Sequence, residues 1–218
     1  MRKLPNNKPP QCGWVGKSSK KTKILAVGDV HGDTGLVKKL AKQAKDENID
    51  LVILAGDLTF IGEETKNLIG PFIKAKKQVL IIHGNHEDFA TTEFLSKKYP
   101  NTHHLHGYSF TKDDLGIFGA GGALEFNTTE KEIFKTLDKA HKNIKDLKKK
   151  IMVTHMHHKG SKSEFSGFEG SEAVTKAIKK FHPDLLISAH IHEAGGIEEK
   201  IGKTRVINVS RSPKVFEI

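Results

Sequence analysis

The sequence predicts an α/β layered domain, and three observations carry that prediction. From residue 23 onward, short apolar runs alternate with segments of helical periodicity. The apolar runs are nearly continuous in Val, Ile and Leu, as expected of strands covered on both faces. The length of 218 residues suits one domain able to bury a substantial core.

The elements follow in order. Lys23–Gly28 reads as a strand, Thr34–Asp46 as a helix and Asp50–Ala55, with its run Leu51-Val52-Ile53-Leu54, as a second strand. Glu63–Ala75 reads as a helix, Gln78–His83 as a strand and Phe89–Lys98 as a helix. This βαβαβα order is that of a layered α/β domain. A shorter β region covers Tyr108–Thr111, a turn at Lys112-Asp113-Asp114, and Leu115–Gly119. A lysine-rich helix over Thr129–Lys149 opens with a capping-box pair, Thr129 and Glu132. Strand Ile151–Thr154, helix Ser171–Phe181, strand Asp184–Ser188 and a terminal β region from Ile197 complete the chain.

Composition narrows the class. Charged residues make up 28% of the chain and the mean hydropathy is −0.44, which predicts a soluble protein. No apolar stretch approaches the roughly 20 residues of a membrane helix, and the N-terminus shows no apolar signal-peptide core. The single cysteine, Cys12, excludes an internal disulfide framework and a zinc–thiolate site. These features predict a cytoplasmic protein that does not engage a membrane.

The net charge of +10 is mostly a tail property. Residues 1–23 hold seven basic side chains and no acid, which leaves only +3 for the rest. The expected division is a basic extension over 1–22, rich in Pro, Gly and Ser, and a folded domain over 23–218. An electrostatic arm for nucleic acid is the functional reading of that extension. A solvated lysine-rich segment is the preferred one, because Trp14 stands without a series of aromatic rings for stacking bases.

What ends each strand is the informative feature. The first ends in Gly28-Asp29-Val30-His31-Gly32-Asp33, the second in Gly56-Asp57, and the third in His83-Gly84-Asn85-His86-Glu87. The strands at 151 and 184 end in His155 and in His190-Ile191-His192. Ligands of open α/β sheets bind beyond the carboxyl ends of the strands. Turn chemistry accounts for Gly and Asn at such places, but not for repeated histidine. Carboxylate, amide oxygen and imidazole without thiolate suit Mn, Fe, Ni or Zn better than Ca or Mg. Seven candidates, Asp29, His31, Asp57, Asn85, His155, His190 and His192, exceed what one tetrahedral ion takes. They suit two ions that share a bridging carboxylate.

This pattern resembles the calcineurin-like metallophosphoesterase superfamily, in its small Icc-like branch. The blocks carrying the resemblance are Asp29-Val30-His31, Gly56-Asp57, Gly84-Asn85-His86-Glu87, His155 and Ala189-His190-Ile191-His192. The resemblance implies two packed mixed β-sheets flanked by helices, a four-layer sandwich. It implies two divalent transition-metal ions, Mn foremost, with Fe, Ni, Co or Zn as alternatives. Asp29, His31 and His192 would hold one ion, Asn85, His155 and His190 the other, and Asp57 would bridge them. A bridging hydroxide would attack phosphorus in line. His86 would bind the phosphate or protonate the leaving oxygen, and Glu87 would orient His86. Ala189 stands where the family pattern has glycine.

The resemblance also implies a small phosphoester substrate. Phosphoprotein phosphatases of the superfamily carry an Arg after the second block, where this chain reads Gly56-Asp57-Leu58-Thr59-Phe60-Ile61-Gly62. The only arginines are Arg2, Arg205 and Arg211, none in these loops. A monoester dianion is well held by a bidentate guanidinium, so the expectation is a phosphodiester, cyclic or nucleotide-like. The alternatives are a phosphomonoesterase, a nuclease using the basic arm, and a non-catalytic scaffold of the same fold. Lys159 and its neighbours His157 and His158 sit in a long loop, and a solvated loop is the preferred reading of that stretch. His83 is expected to be structural, and His103, His104 and His106 to lie at the surface or in turns. His141 and His182 stand outside the motif set.

Overall fold

Apolar side chains alternate between two buried faces along the inner strands, and this sets the layers. The computed structural model describes residues 21–61, 66–124 and 126–218; the basic extension lies outside them except for Lys21 and Thr22. The chain runs β1 (Lys23–Val27), α1 (Thr34–Asp46), β2 (Leu51–Ala55), α2 (Gly70–Lys74), β3 (Gln78–Ile82), α3 (Phe89–Lys98), β4 (Thr102–His104), β5 (Ser109–Lys112) and β6 (Leu115–Ala120). It continues through α4 (Glu130–His141), β7 (Lys149–Thr154), α5 (Glu172–Phe181), β8 (Leu185–Ser188), β9 (Glu198–Ile201), β10 (Thr204–Asn208) and β11 (Lys214–Glu217).

Two mixed sheets form. One has the order β11-β1-β2-β3-β4 and the other β5-β6-β7-β8-β10-β9. In the first, β1 to β4 are parallel and β11 runs antiparallel along β1. In the second, β6, β7, β8 and β10 are parallel, with β5 and β9 antiparallel at the edges. Alternate side chains of the inner strands explain three stacked cores. Ile24, Ile53 and Leu80 face Ile117, Val153 and Ile187 between the sheets. Leu25, Leu54 and Ile81 point the other way, onto Val37, Leu40, Phe72 and Leu95 of α1, α2 and α3. Phe118, Met152 and Leu186 pack outward onto Ile133, Leu137, Val174 and Ile178 of α4 and α5. Helices therefore cover both outer faces, as the four-layer reading required. No helix among the described residues is long and apolar enough to cross a membrane.

Helix ends follow local chemistry. Asp33 caps α1 by accepting from the Leu36 N–H, and Thr129 with Glu132 forms the expected capping box on α4. Two helices are shorter than predicted. The segment expected to start at Glu63 is helical only over Gly70–Lys74; residues 62–65 lie outside the described residues. Asn67 takes a left-handed conformation, φ 62°, which breaks an α-helix, and Pro71 then starts one. Helix α4 stops at His141 rather than Lys149 because the chain turns to bury Ile144 against Gly116. A Cβ on Gly116 would lie 2.8 Å from that isoleucine, and β7 then begins at Lys149, paired with Leu115.

The histidines at 103–106 also depart from expectation. Only His103 is exposed; His104 is buried on β4 and His106 is half-buried. His106 lies 4.6 Å from the ring of His83, and His104 lies 6.2 Å from it. The Gly121 N–H donates to His106 Nδ1, 3.1 Å away. Burial, then neighbouring imidazoles, push His83 down to about 3 and His104 to about 4. Burial does the same to His106, to about 4.

These rings are neutral in the folded chain and ordinarily basic once it unfolds. The unfolded state therefore binds more protons between about pH 6.5 and pH 4, and stability falls as pH drops through that window. Each such ring contributes up to about 1.4 kcal/mol per pH unit. Urea melts at pH 7.5 and pH 5 should show a smaller acid loss in His106→Gln than in the parent. An identical loss in both would remove this cluster as a cause.

Candidate metal centre

Every parallel strand that carries a polar end delivers it to one cleft, between the carboxyl edges of the two sheets. Asp29 and His31 follow β1, Asp57 follows β2 and Asn85 and His86 follow β3. His155 follows β7, and His190 and His192 follow β8. The first two loops are zipped together by backbone bonds from Asp29 N to Gly56 O, 3.0 Å, and from His31 N to Asp57 O, 2.9 Å.

The backbone is bent to aim these side chains. Asp29, His31, Asp57 and His190 all sit at positive φ, 56°, 46°, 51° and 74°. Non-glycine residues rarely adopt this region, and such strain gathers at functional sites. Gly84 serves a different need. A Cβ there would lie 2.0 Å from Asp57 Oδ1, so only glycine lets the carboxylate turn under the third loop. The His86 N–H then donates to that oxygen, 2.9 Å away.

Three groups of side chains each bring ligand atoms within 4.8 Å of one another: Asp29, His31 and His192; His31, Asp57 and His86; and Asp57, His155 and His190. Asp57 belongs to two of them. Its Oδ2 lies 3.5 Å from His155 Nε2, 3.9 Å from His31 Nε2 and 4.0 Å from His86 Nε2. Asn85 Oδ1 completes the inner group, 3.1 Å from His155 Nε2. The seven residues expected as ligands therefore share one cleft.

The donor set fits cations. His155 Nδ1 donates to the Ala55 carbonyl at 2.9 Å, so its Nε2 is the atom turned to the carboxylate and amide oxygens. Two acceptors facing one imidazole nitrogen require positive charge between them. Burial alone would depress His155, yet the Asp57 and Asp29 carboxylates raise it to about 9. Burial opposes ionisation of Asp57, but His155 and the His86 N–H hold it well below the usual carboxylate range. Buried Asp29 Oδ1 has no hydrogen-bond partner, and His192 Nε2 lies 3.3 Å from it. The Nε2 atoms of His31 and His192 converge to 3.0 Å. Burial takes His190 down to about 4, leaving a neutral imidazole with a lone pair. Carboxylate oxygens, an amide oxygen and imidazole nitrogens converging in this way fit divalent transition metals.

Two expectations need correction here. Glu87 does not orient His86. Its carboxylate accepts from Thr59 N, 3.0 Å, Thr59 Oγ1, 3.2 Å, and Gly84 N, 3.0 Å, so it ties the second loop to the third. The Ile61 N–H instead donates to His86 Nδ1 at 3.3 Å, which leaves the ring proton on Nε2, facing Asp57. His157 and His158 are not solvated: both are buried. Ser171, which caps α5, exchanges backbone bonds with His157 and Lys159 and pins the loop down. His157 Nε2 lies 3.3 Å from the Phe168 carbonyl, and His158 Nε2 lies 3.8 Å from Glu199.

Two further findings concern Arg211 and Ala189. Arg211 lies far from the motif blocks in sequence, yet its N–H donates to the Gly28 carbonyl at 3.1 Å. Its charge opposes protonation of His192, although the Asp29 carboxylate still raises that ring. Nothing in local sequence marks it; only the pairing of the last connection with the end of β1 brings it in. Ala189 is not at positive φ; His190 takes that conformation. The Ala189 methyl is buried against Gly28, where a second Cβ would lie 2.5 Å away.

The family comparison agrees with this geometry. Residues 22–194 match the family model described as calcineurin-like phosphoesterase, so the chain belongs to the calcineurin-like phosphoesterase family. No protein of curated function matches the sequence. Among solved structures, a Thermus thermophilus protein, TT1561, is 18% identical with a TM-score of 0.73, over 90% of this chain and 99% of that one. A dimetal phosphatase from Danio rerio is 12% identical with a TM-score of 0.61, over 87% of each chain. An archaeal phosphodiesterase is 21% identical with a TM-score of 0.51, over 85% of this chain and 82% of that one. At these identities the likeness is one of fold.

The Gly28–Ala189 contact is directly testable. Gly28→Ala puts two methyls in one place and should cost about 1–3 kcal/mol, read as a lower urea midpoint. Adding Ala189→Gly should recover a large part of it. A double variant no more stable than Gly28→Ala would show that the two positions do not compete for space.

Proposed function

We propose that the protein is a two-metal phosphoester hydrolase that prefers phosphodiesters. The observation that supports this best is the placing of buried Asp57 between two ligand groups, one carrying Asp29, His31 and His192 and the other Asn85, His155 and His190. That the Danio rerio neighbour is a dimetal phosphatase and the archaeal one a phosphodiesterase agrees with it.

Two divalent ions, Mn foremost, would supply the charge that polarises a phosphoryl oxygen and the Lewis acidity that lowers the pKa of water toward neutrality. Asp57 would hold both. The protein's own groups do the rest. The Ala55 carbonyl fixes the His155 tautomer, and the His190 N–H, 3.1 Å from Asp29 Oδ2, fixes that carboxylate. His86 is a quarter exposed at the cleft wall with a proton on Nε2. In an in-line displacement that N–H donates a hydrogen bond to the departing oxygen as its charge develops.

Arg211 supports a second reading, a phosphomonoesterase. The Arg211 guanidinium lies within electrostatic range of His192, and a guanidinium that reaches the site can pair with the extra charge of a monoester dianion. If monoesters are the substrate, Arg211→Ala should lower kcat/KM for p-nitrophenyl phosphate at least tenfold more than for bis-p-nitrophenyl phosphate. Equal losses on both would favour the diester reading.

Asp57→Asn should lose bound metal, read by elemental analysis after Mn loading, and almost all turnover. His86→Ala should keep its metal while kcat falls about 10²–10³-fold. A parent protein that holds no Mn and hydrolyses no ester would sink the proposal in favour of a scaffold. Metal loss in His86→Ala would instead make His86 a ligand.

A further inference from the structure

Eight large apolar side chains are prominently exposed among the described residues, and three of them border the metal cleft. Isolated exposed rings need no explanation, but rings gathered around one polar site do. Phe126 and Phe168 are 66% and 60% exposed, and each ring centroid lies 6.4 Å from that of His190. They come from different connections, one between β6 and α4 and the other between β7 and α5, yet both stand edge-on to the same imidazole, at 72° and 71°. Phe60 borders the far end, 5.3 Å from His86 and 6.0 Å from His31.

The walls beside His190 are held in place. Asn127, next to Phe126, donates to the Gly84 carbonyl at 2.8 Å and accepts from the Ala123 N–H at 3.0 Å. Buried His157 lies 3.3 Å from the carbonyl of Phe168, which follows a left-handed turn at Gly167. The mechanism proposed above uses neither phenylalanine. What they offer a ligand is π surface, with no charge and no hydrogen bond of their own. A sugar alone would call for carboxylates and amides at that place, and an acyl chain for continuous apolar ground rather than separate rings beside a polar cleft. A planar heteroaromatic ring fits both the surface and the adjoining phosphoester site.

We propose that Phe126 and Phe168 form a base-stacking subsite. The substrate is then a nucleotide-type phosphodiester with its base on the His190 side and its leaving oxygen beside His86. This rests on the phosphoester reading of the cleft. Stacking is tolerant of base identity, so the subsite selects nucleotides over simple esters and discriminates little among bases.

The test compares two diesters with one leaving group, thymidine 5′-(p-nitrophenyl phosphate) and methyl p-nitrophenyl phosphate, on the Mn-loaded full chain. A stacked base should favour the thymidine ester about 5- to 100-fold in kcat/KM. Phe126→Leu with Phe168→Leu, exposed positions where the fold survives, should bring that ratio close to one. A ratio near one in the parent, or unchanged in the double variant, overturns the subsite. A binding arm separates this from the hydrolase reading. Calorimetry should give adenosine 5′-monophosphate at least fivefold tighter binding than ribose 5-phosphate, with the advantage lost in the double variant. If no diester is cleaved but that advantage holds, the hydrolase reading fails and the subsite stands. If diesters are cleaved but the two ligands bind equally, the subsite fails and the hydrolase reading stands.

Discussion

The buried carboxylate of Asp57 is the constraint on which the site depends. Removing a charge from water is costly, and it persists only where specific partners replace hydration. Asp57 has those partners on every side. His155 reaches it from the second sheet, His31 from the loop after β1, and His86 by both its N–H and its ring. A single side chain thus ties three loops and two sheets to one point. That is why the glycine at 84 tolerates no replacement, and why buried Glu87 bonds the second loop to the third. Burial raises the pKa of Glu87, the reverse of Asp57, although the two carboxylates belong to adjoining loops. Glu87 faces peptide N–H groups and a hydroxyl, while Asp57 faces imidazoles.

Four strained residues at such a centre need rigid support. Each left-handed non-glycine residue costs on the order of 1–3 kcal/mol. That strain is offset by three apolar layers whose strands are buried along nearly their whole length. The arrangement also explains the substitution at 189. The chain between β1 and β8 has room for one methyl, and here it sits on the second strand's side, because the first contributes Gly28. A glycine at 189 is thus not required by conformation. His190, which carries the left-handed turn, bears the cost of aiming its own ring.

Much of this was legible in the sequence for a physical reason. Strands covered on both faces need uninterrupted apolar runs, so β1, β2, β3, β7 and β8 announce themselves, and the polar residues that stop them mark the cleft edge. Other features depend on distant partners. The end of α4 is set by Ile144 finding Gly116, and the burial of His157 and His158 by Ser171 closing the loop. A histidine in a polar loop reads as solvated until its cover is known. His104 is buried because β4 joins the sheet edge beneath Phe89 and Thr92. Arg211 is invisible because its place comes from a pairing between residues 28 and 210, at opposite ends of the domain.

The two halves of the cleft are not equivalent, and the difference gives the site a direction. His155 is fully buried, whereas the side chain of His192 is 41% exposed. The inner half is therefore formed by the contact of the two sheets, and the outer half by loops at the rim. Charge is felt most strongly where water is excluded, so the Asp57–His155 side is the electrostatically stronger half. Aromatic rings stand at both ends, Phe60 beside His86 and Phe126 with Phe168 beside His190. The cleft thus joins a buried polar floor to an exposed apolar rim.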